Sequence, residues 1–468
     1  MVKQTKTQVA QAAYQQAMTL KARDRGAAIH KLVTAIDKAP QERAYKIAFC
    51  ELLMNAGTNK FDPKLKKTVQ ACLQTDGLDH QELWHFWLSL LRCDPQFAPV
   101  QQALDGQRVA AKTLLPCLKM PFFLLGLRRL IIFDWAFEQM VKQLLDLEGL
   151  PVRVAEGLAA YARAVDYIVM DQLPDGQAPY PINPAIPTLS VPQSETGQQV
   201  RAQYEEHPYP RWLDLHVVTP TVQQQATKHR HLIAGCGTGY ATCQLALRYP
   251  HVDFTAIDLS LASLSYAKGK ADQLGLRNVS FMQADILALA GADGLGGPFD
   301  HVDCSGVLHH MADPIEGWRA LKAQLAPGGR MHIGLYSALG RADVVAARTL
   351  IAAQGFDGTH HDIVAARQMI AALPADHPAK PVMRRQDFYS TASCRDLLFH
   401  VQEQRFTIRQ IKQALDTLGL RFDGFSQLDP DLAPHAPQDP LDLDAWAKVE
   451  EAHPQGFRAM YHFYCVAV

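Results

Sequence analysis

The stretch "HLIAGCGTGYATCQLALRYP" (231–250) limits the fold more than any other part of this chain. An apolar run too short for a helix ends in three alternating glycines, Gly235, Gly237 and Gly239, and a helix-patterned stretch follows. A strand that turns on glycine into a helix is the nucleotide-binding corner of an open α/β sheet. A dinucleotide fingerprint, G-x-G-x-x-G, would need glycine where Tyr240 stands, and the phosphate-cradling G-x-x-x-x-G-K-[ST] is absent. What stands is G-x-G-x-G, with Asp258 closing the next strand 19 residues after Gly239. A carboxylate there accepts from both hydroxyls of a ribose.

From residue 231 strand and helix patterns alternate, which predicts a parallel sheet. Strands are expected at 231–234, 252–258, 279–285, 299–306, 330–336, 420–425 and 457–468. Asp313-Pro314-Ile315-Glu316 reads as an N-cap, a proline at the first helical position and an acidic third position. Residues 1–172 instead show helix after helix, with Ile29, Leu32, Val33 and Ile36 on one face and no strand alternation. No fixed repeat period emerges. Between them, 173–200 holds six prolines from 174 to 192 and reads as an extended linker or strap. The expected fold is therefore α/β: a doubly wound, mostly parallel seven-stranded sheet over 201–468, preceded by an all-α helical domain. A helical cap is inserted at about 337–406.

These features together resemble the class I S-adenosylmethionine-dependent methyltransferases. "FDHVDCSGVLHHMADP" looks like the family's fourth strand and turn, and "LKAQLAPGGRMHIG" like its helix, Pro-Gly-Gly turn and fifth strand. The resemblance covers 231–336 and 407–468. It implies S-adenosylmethionine as cofactor, with Gly235, Gly237 and Gly239 beside the methionine part and Cys236 among them. It also implies Asp258 and Leu259 at the ribose, Asp285 and Ile286 framing the adenine, and Ser305 at the end of strand four. One departure stands out: where the family carries an acidic residue two positions before the first glycine, this chain has Ile233.

Methyl transfer needs a positioned nucleophile and, where necessary, a base. His309 and His310 follow strand four, at the ligand-binding end of such a sheet, and are the catalytic candidates; packing beside the cofactor is the competing reading. "YEEHPYPRW" brings Tyr204, Tyr209, Arg211 and Trp212 just ahead of the sheet, where aromatic rings shield a sulfonium. Tyr336 at the end of strand five, and Tyr389, Arg395 and His400 in the insertion, complete the acceptor-side candidates. Ser393 with Asp396 reads as a capping box that puts Arg395 in a helix's first turn. No metal site is expected: His309/His310 and His360/His361 are adjacent pairs, and helical neighbours diverge.

Net charge is −1, with 46 Lys/Arg against 47 Asp/Glu, so no basic surface marks a nucleic-acid partner. Nine scattered cysteines without a C-x-x-C indicate neither zinc framework nor redox pair, and with no signal peptide they fit a cytoplasmic protein. "FFLLGLRRLIIF" (122–133) is too short to span a bilayer and is split by two arginines, so no membrane contact is expected. The function expected is methyl transfer to a protein, peptide or small-molecule acceptor that the helical domain recruits or covers; a homodimer is left open. A non-catalytic donor-binding scaffold is the alternative. A nicotinamide oxidoreductase is disfavoured by Tyr240.

Overall fold

The computed structural model describes residues 5–145, 150, 152–165, 182–210, 212, 215, 229–289, 294–429, 431–458 and 460–468. The chain divides into two compact units, Met1–Gly176 with Trp212–Val217, and Gln177–Arg211 with Val218–Val468.

Among the described residues the regular elements of the first unit are all helices, from Lys6–Leu20 to Val152–Val165. Polar side chains start its helices as the sequence suggests. Thr5 and Gln8 form a reciprocal capping box, and Asp62 accepts from Lys64 N at 2.7 Å ahead of Pro63. Asp79 behaves differently: it accepts from Gln81 N and opens a 3-10 turn, so the α-helix begins only at Trp84. The apolar 122–133 stretch is helical only as far as Arg129, in the helix Pro121–Arg129 with Phe122, Phe123 and Leu127 buried. No helix among the described residues is long and apolar enough to cross a membrane. Trp87 is fully buried, donates to Phe122 O at 3.1 Å and packs on Phe122, Phe123 and Phe137. Its ring lies where a Cβ on Gly126 would fall, 2.1 Å from Cζ2.

The second unit holds β1 (His229–Ala234), β2 (Val252–Asp258), β3 (Val279–Gln283), β4 (Phe299–Ser305), β5 (Leu325–Tyr336), β6 (Leu420–Phe425) and β7 (Met460–Ala467). They form one sheet in the order β3-β2-β1-β4-β5-β7-β6, parallel except that β7 runs antiparallel to both neighbours. The chain winds outward from β1 to β3, then returns to β4 on β1's other side. That reversal opens a crevice at the carboxyl ends of β1 and β4. β5 begins five residues earlier than expected because "APGG" joins it as an irregularity, with Phe299 facing Leu325 and His301 facing Arg330.

The proline-rich stretch differs from a free linker. Residues 173–181 lie outside the described residues. From 182 the chain is docked on the sheet edge: Gln283 N donates to Pro187 O at 2.9 Å and Leu189 N donates to Gln283 O at 2.8 Å. Proline supplies no N–H, so Leu189 makes the bond that the edge of β3 offers. Ser194 then caps the helix Glu195–Glu206.

The insertion after β5 is helical, with Ala342–Ala353, His360–Ala372 and Thr391–Phe399. Its two ends are held together, since Phe406 N donates to Tyr336 O and Ala338 N donates to Phe406 O, both at 2.8 Å. Thr391–Phe399 starts three residues before the expected box, because Ser390, not Ser393, caps it. Arg395 thus sits in the second turn and Asp396 points inward, 4% exposed.

The packing around Trp87 yields a stability prediction. Gly126→Ala gains about 1 kcal/mol of helix propensity but drives a methyl into a ring with no room to retreat, a strain of about 3 kcal/mol. Urea denaturation should show a net loss of roughly 2 kcal/mol in the helical unit; equal or greater stability would contradict the packing described.

Candidate functional site

The glycine turn is built so that only glycine fits. Gly235, Gly237 and Gly239 have φ of 77°, 53° and 80°. A Cβ on each would lie 2.1 Å from Val307 Cγ2, 2.5 Å from Tyr209 O and 2.6 Å from Ala267 Cβ. The end of β2 is joined to this turn through one side chain. Asp258 Oδ2 accepts from Gly237 N at 2.8 Å and Oδ1 accepts from Ser260 N at 2.9 Å. Burial pushes the Asp258 carboxyl above its ordinary range, and the Ser260 and Gly237 N–H groups work against that rise.

Asp258 and Leu259 line a cavity of about 1010 Å³ together with Gly235, Cys236 and Gly237. Asp285, Ile286 and Ser305 line it too. Asp285 Oδ1 accepts from Leu287 N at 3.0 Å, and its own N–H donates to Ser190 of the docked strap at 2.9 Å. Gly239 stands behind the wall and starts the helix Tyr240–Arg248. Burial pushes the Cys236 thiol well up, which leaves it a neutral, unreactive group. Ile233 also lines the cavity, so its wall is apolar where the family's acidic residue would be.

Sequence reasoning did not single out Glu205. Both its oxygens accept backbone N–H groups, Leu261 and Ala262 at 2.9 Å each, at the start of the helix Leu261–Gln273.

The acceptor-side candidates separate. Tyr204 and Tyr209 line the cavity and reach into the insertion: Tyr204 donates to Asp396 Oδ1 at 2.5 Å and Tyr209 to Asp387 Oδ1 at 3.0 Å. Burial and the neighbouring Asp396 push the Asp387 carboxyl up to about 6. Tyr209 also receives Thr238 N on its carbonyl at 3.2 Å, which ties this segment to the glycine turn. Tyr336 lines the cavity at the end of β5. His309 and the Arg341 guanidinium each lie 3.6 Å from its ring centroid, which two planar groups reach only from opposite faces. Arg341 is tied in turn to Glu403 at 2.8 Å, deep in the insertion.

The two adjacent histidines have different surroundings. His309 is fully buried off the cavity, and among the described residues neither ring nitrogen has a hydrogen-bond partner. Burial holds it well below the ordinary imidazole range, so it is neutral. His310 lines the cavity, and its Nδ1 lies 2.7 Å from Gln402 O. A carbonyl only accepts, so Nδ1 carries the proton and Nε2 keeps a lone pair. His310 stacks on His400 at 3.6 Å. His400 Nδ1 accepts from Gln402 N at 3.1 Å, which puts its proton on the buried Nε2. Burial and His310 push His400 down to about 2. His310, His400 and Asp396 are near enough to surround an ion.

Other candidates are occupied elsewhere. Tyr389 donates to Met383 O at 2.8 Å, away from the cavity wall. Arg395 donates to Gly358 O at 2.5 Å and approaches Glu206 at 3.8 Å. Trp212 groups with the helical unit, and Arg211 lies outside the described residues.

Residues 228–375 match the family model described as "Methyltransferase domain". An uncharacterized protein of Synechococcus sp. is 33% identical over 265 residues, 51% of this chain and 62% of that one. A ubiquinone biosynthesis O-methyltransferase of Marinobacter nauticus is 38% identical over 104 residues, 22% of this chain and 42% of that one. The chain thus spans less than two thirds of these curated relatives. A solved structure of PKMT2 from Rickettsia typhi with AdoHcy has 17% identity and a TM-score of 0.41, over 51% of this chain and 49% of that one. The strand order, the glycine turn with its Asp258 anchor and the family match agree. Residues 228–375 are thus similar to a methyltransferase domain and are set on a sheet of Rossmann-like strand order.

Proposed function

We propose that this protein transfers the methyl group of S-adenosylmethionine to an amine nucleophile held between Tyr204, Tyr209, Tyr336, His310 and Asp396. The observation that carries this reading is the single cavity that joins the Asp258-anchored glycine turn to a cluster of tyrosines, carboxylates and a neutral imidazole. The donor's ribose hydroxyls fit Asp258, and its adenine fits between Asp285 and Ile286. The donor is a sulfonium and already activated, so the protein has two tasks: to align the nucleophile and to take its proton. His310 Nε2 is the base, because its Nδ1 proton is committed to Gln402 O and burial keeps the ring neutral. His309, off the cavity, supports Tyr336 from behind.

Charge favours an amine. Asp387 and Asp396 receive tyrosine hydroxyls, and among the described residues neither forms an ion pair. The nearby cation Arg341 is paired with Glu403. A protonated amine entering this end meets carboxylates and aromatic rings, then loses its proton to His310. The acceptor is a protein or peptide amine, or a small amine, with the helical unit recruiting or covering it.

The direct test is incubation of the purified protein and cell extract with methyl-labelled donor. Acid- and base-stable label on an amine supports the reading; base-labile label would move the acceptor to a carboxylate, and donor binding without any transfer would favour a non-catalytic scaffold.

Three further outcomes are expected. Asp258→Ala should weaken binding of S-adenosylhomocysteine by roughly 10- to 100-fold, the loss of about 1.5–3 kcal/mol that accompanies removal of an ionised acceptor; equilibrium dialysis with unchanged affinity would sink the ribose assignment. His310→Gln should lower kcat by about 10²–10⁴-fold with donor affinity kept, whereas a variant with full kcat would leave His310 a packing role. The pH profile follows from the sign of the shift: His310 is lowered from its ordinary value of 6.5, so it stays a free base down to that pH. The acidic limb of kcat that disappears in His310→Gln should therefore lie below pH 6.5, and a limb centred above it would contradict the burial described.

A further inference from the structure

The two faces of the central strands differ in kind. Val302, Cys304, Met331, Ile333, Phe463 and Cys465 point to one side and form the core. The alternate positions carry His301, Asp303, His332, His462 and Tyr464, with His231 on β1 beside them. A parallel sheet buried on both faces would be apolar on both. The polar row lines a second arm of the cavity, four residues before Gly235 along β1 and so about 13 Å from it at strand rise.

Register concentrates chemistry on this row. His231 pairs with His301 across β1 and β4, and Asp303 pairs with His332 across β4 and β5. His231 Nε2 donates to Asp303 Oδ2 at 2.6 Å, and His332 Nδ1 donates to Oδ1 at 2.6 Å. The His301 ring lies 4.5 Å from that of His231, with Nε2 4.0 Å from Asp303 Oδ1. Among the described residues the His301 ring makes no hydrogen bond. One nitrogen from each of His231 and His301 and an oxygen of Asp303 lie within 4.8 Å of one another.

We propose that His231, His301 and Asp303 bind a divalent transition-metal ion of the zinc type. Two imidazoles and a carboxylate are the donor set such ions take, at about 2.0–2.2 Å per bond, and small side-chain rotations bring these atoms to that distance. A fourth position faces the cavity and is left to water. Supporting bonds of the kind that fix metal ligands are in place: His332 holds the Asp303 carboxylate and is held in turn by Ser426 Oγ at 2.9 Å. Metal entry displaces the His231 Nε2 proton, which shifts to Nδ1 or is released. The bound ion ties β1 to β4 below the donor turn.

The test uses untagged full-length protein stripped with chelator and titrated with Zn²⁺ alone by calorimetry, with Co²⁺ absorption as a second readout. One equivalent should bind, with a visible spectrum of imidazole-ligated Co²⁺. His301→Ala should weaken binding at least tenfold and abolish that spectrum. Asp303→Asn should do the same, while His310→Gln should retain both. No binding by wild type, wild-type affinity in His301→Ala, or loss of the site in His310→Gln would each overturn the proposal. The His301 ring makes no hydrogen bond to the described residues, so its variant decides the matter even where Asp303→Asn fails to fold.

Discussion

Everything at the donor end depends on one carboxylate. Asp258 closes β2 and accepts N–H groups from Gly237 and Ser260, so it holds the glycine turn and the start of the following helix at fixed spacing. A buried carboxylate is costly unless it is hydrogen-bonded, and here the backbone supplies those bonds. The same constraint explains the three glycines. The turn must pass within contact distance of Val307, Tyr209 and Ala267, and a side chain at any of the three positions would separate these elements. The segment 204–210 is thereby held against the turn, with its tyrosines directed toward the insertion.

The insertion brings the other half of the site. Its ends are fastened to β5 through Tyr336 and Phe406, so Asp387, Asp396 and His400 stand over the carboxyl end of the sheet. Gln402 does two jobs from one peptide unit and its neighbour: its N–H fixes the tautomer of His400, and its carbonyl fixes that of His310. Two stacked imidazoles are therefore inequivalent, one a donor and one a base. Arg341 and His309 clamp the ring of Tyr336 in the cavity wall, and His309 also packs edge-on against His310 at 4.4 Å.

Much of this was legible in the sequence, and the reasons are local. The glycine spacing, Asp258 at a strand end, and the caps at Asp313 and Thr407 are short-range patterns with one physical solution each. The alternation in "HVDCS" separates an apolar from a polar face, but His301 gains meaning only when the register of β1 and β4 sets it beside His231. Boundaries moved where irregular backbone joined an element, as at "APGG" in β5. Arg395 misled because Ser390 and Ser393 are equally good caps, and only packing of the insertion chooses between them. Asp387 and Gln402 have no sequence signature, and the capping box read at Asp396 says nothing of its inward contact: these residues meet Tyr204, Tyr209 and His310 from up to about 190 positions away, and nothing in a linear pattern records that distance.

In the proposed reaction Asp258 and the glycine turn hold the donor with its sulfur directed at His310 and the tyrosines. A crystal structure of the protein with S-adenosylhomocysteine tests it most directly. The ribose hydroxyls should lie within hydrogen-bond distance of Asp258, the adenine beside Asp285 and Ile286, and the sulfur on the side of Tyr336 and His310. A nucleoside bound elsewhere in the cavity, or bound at the turn with its sulfur facing away from His310, would contradict it.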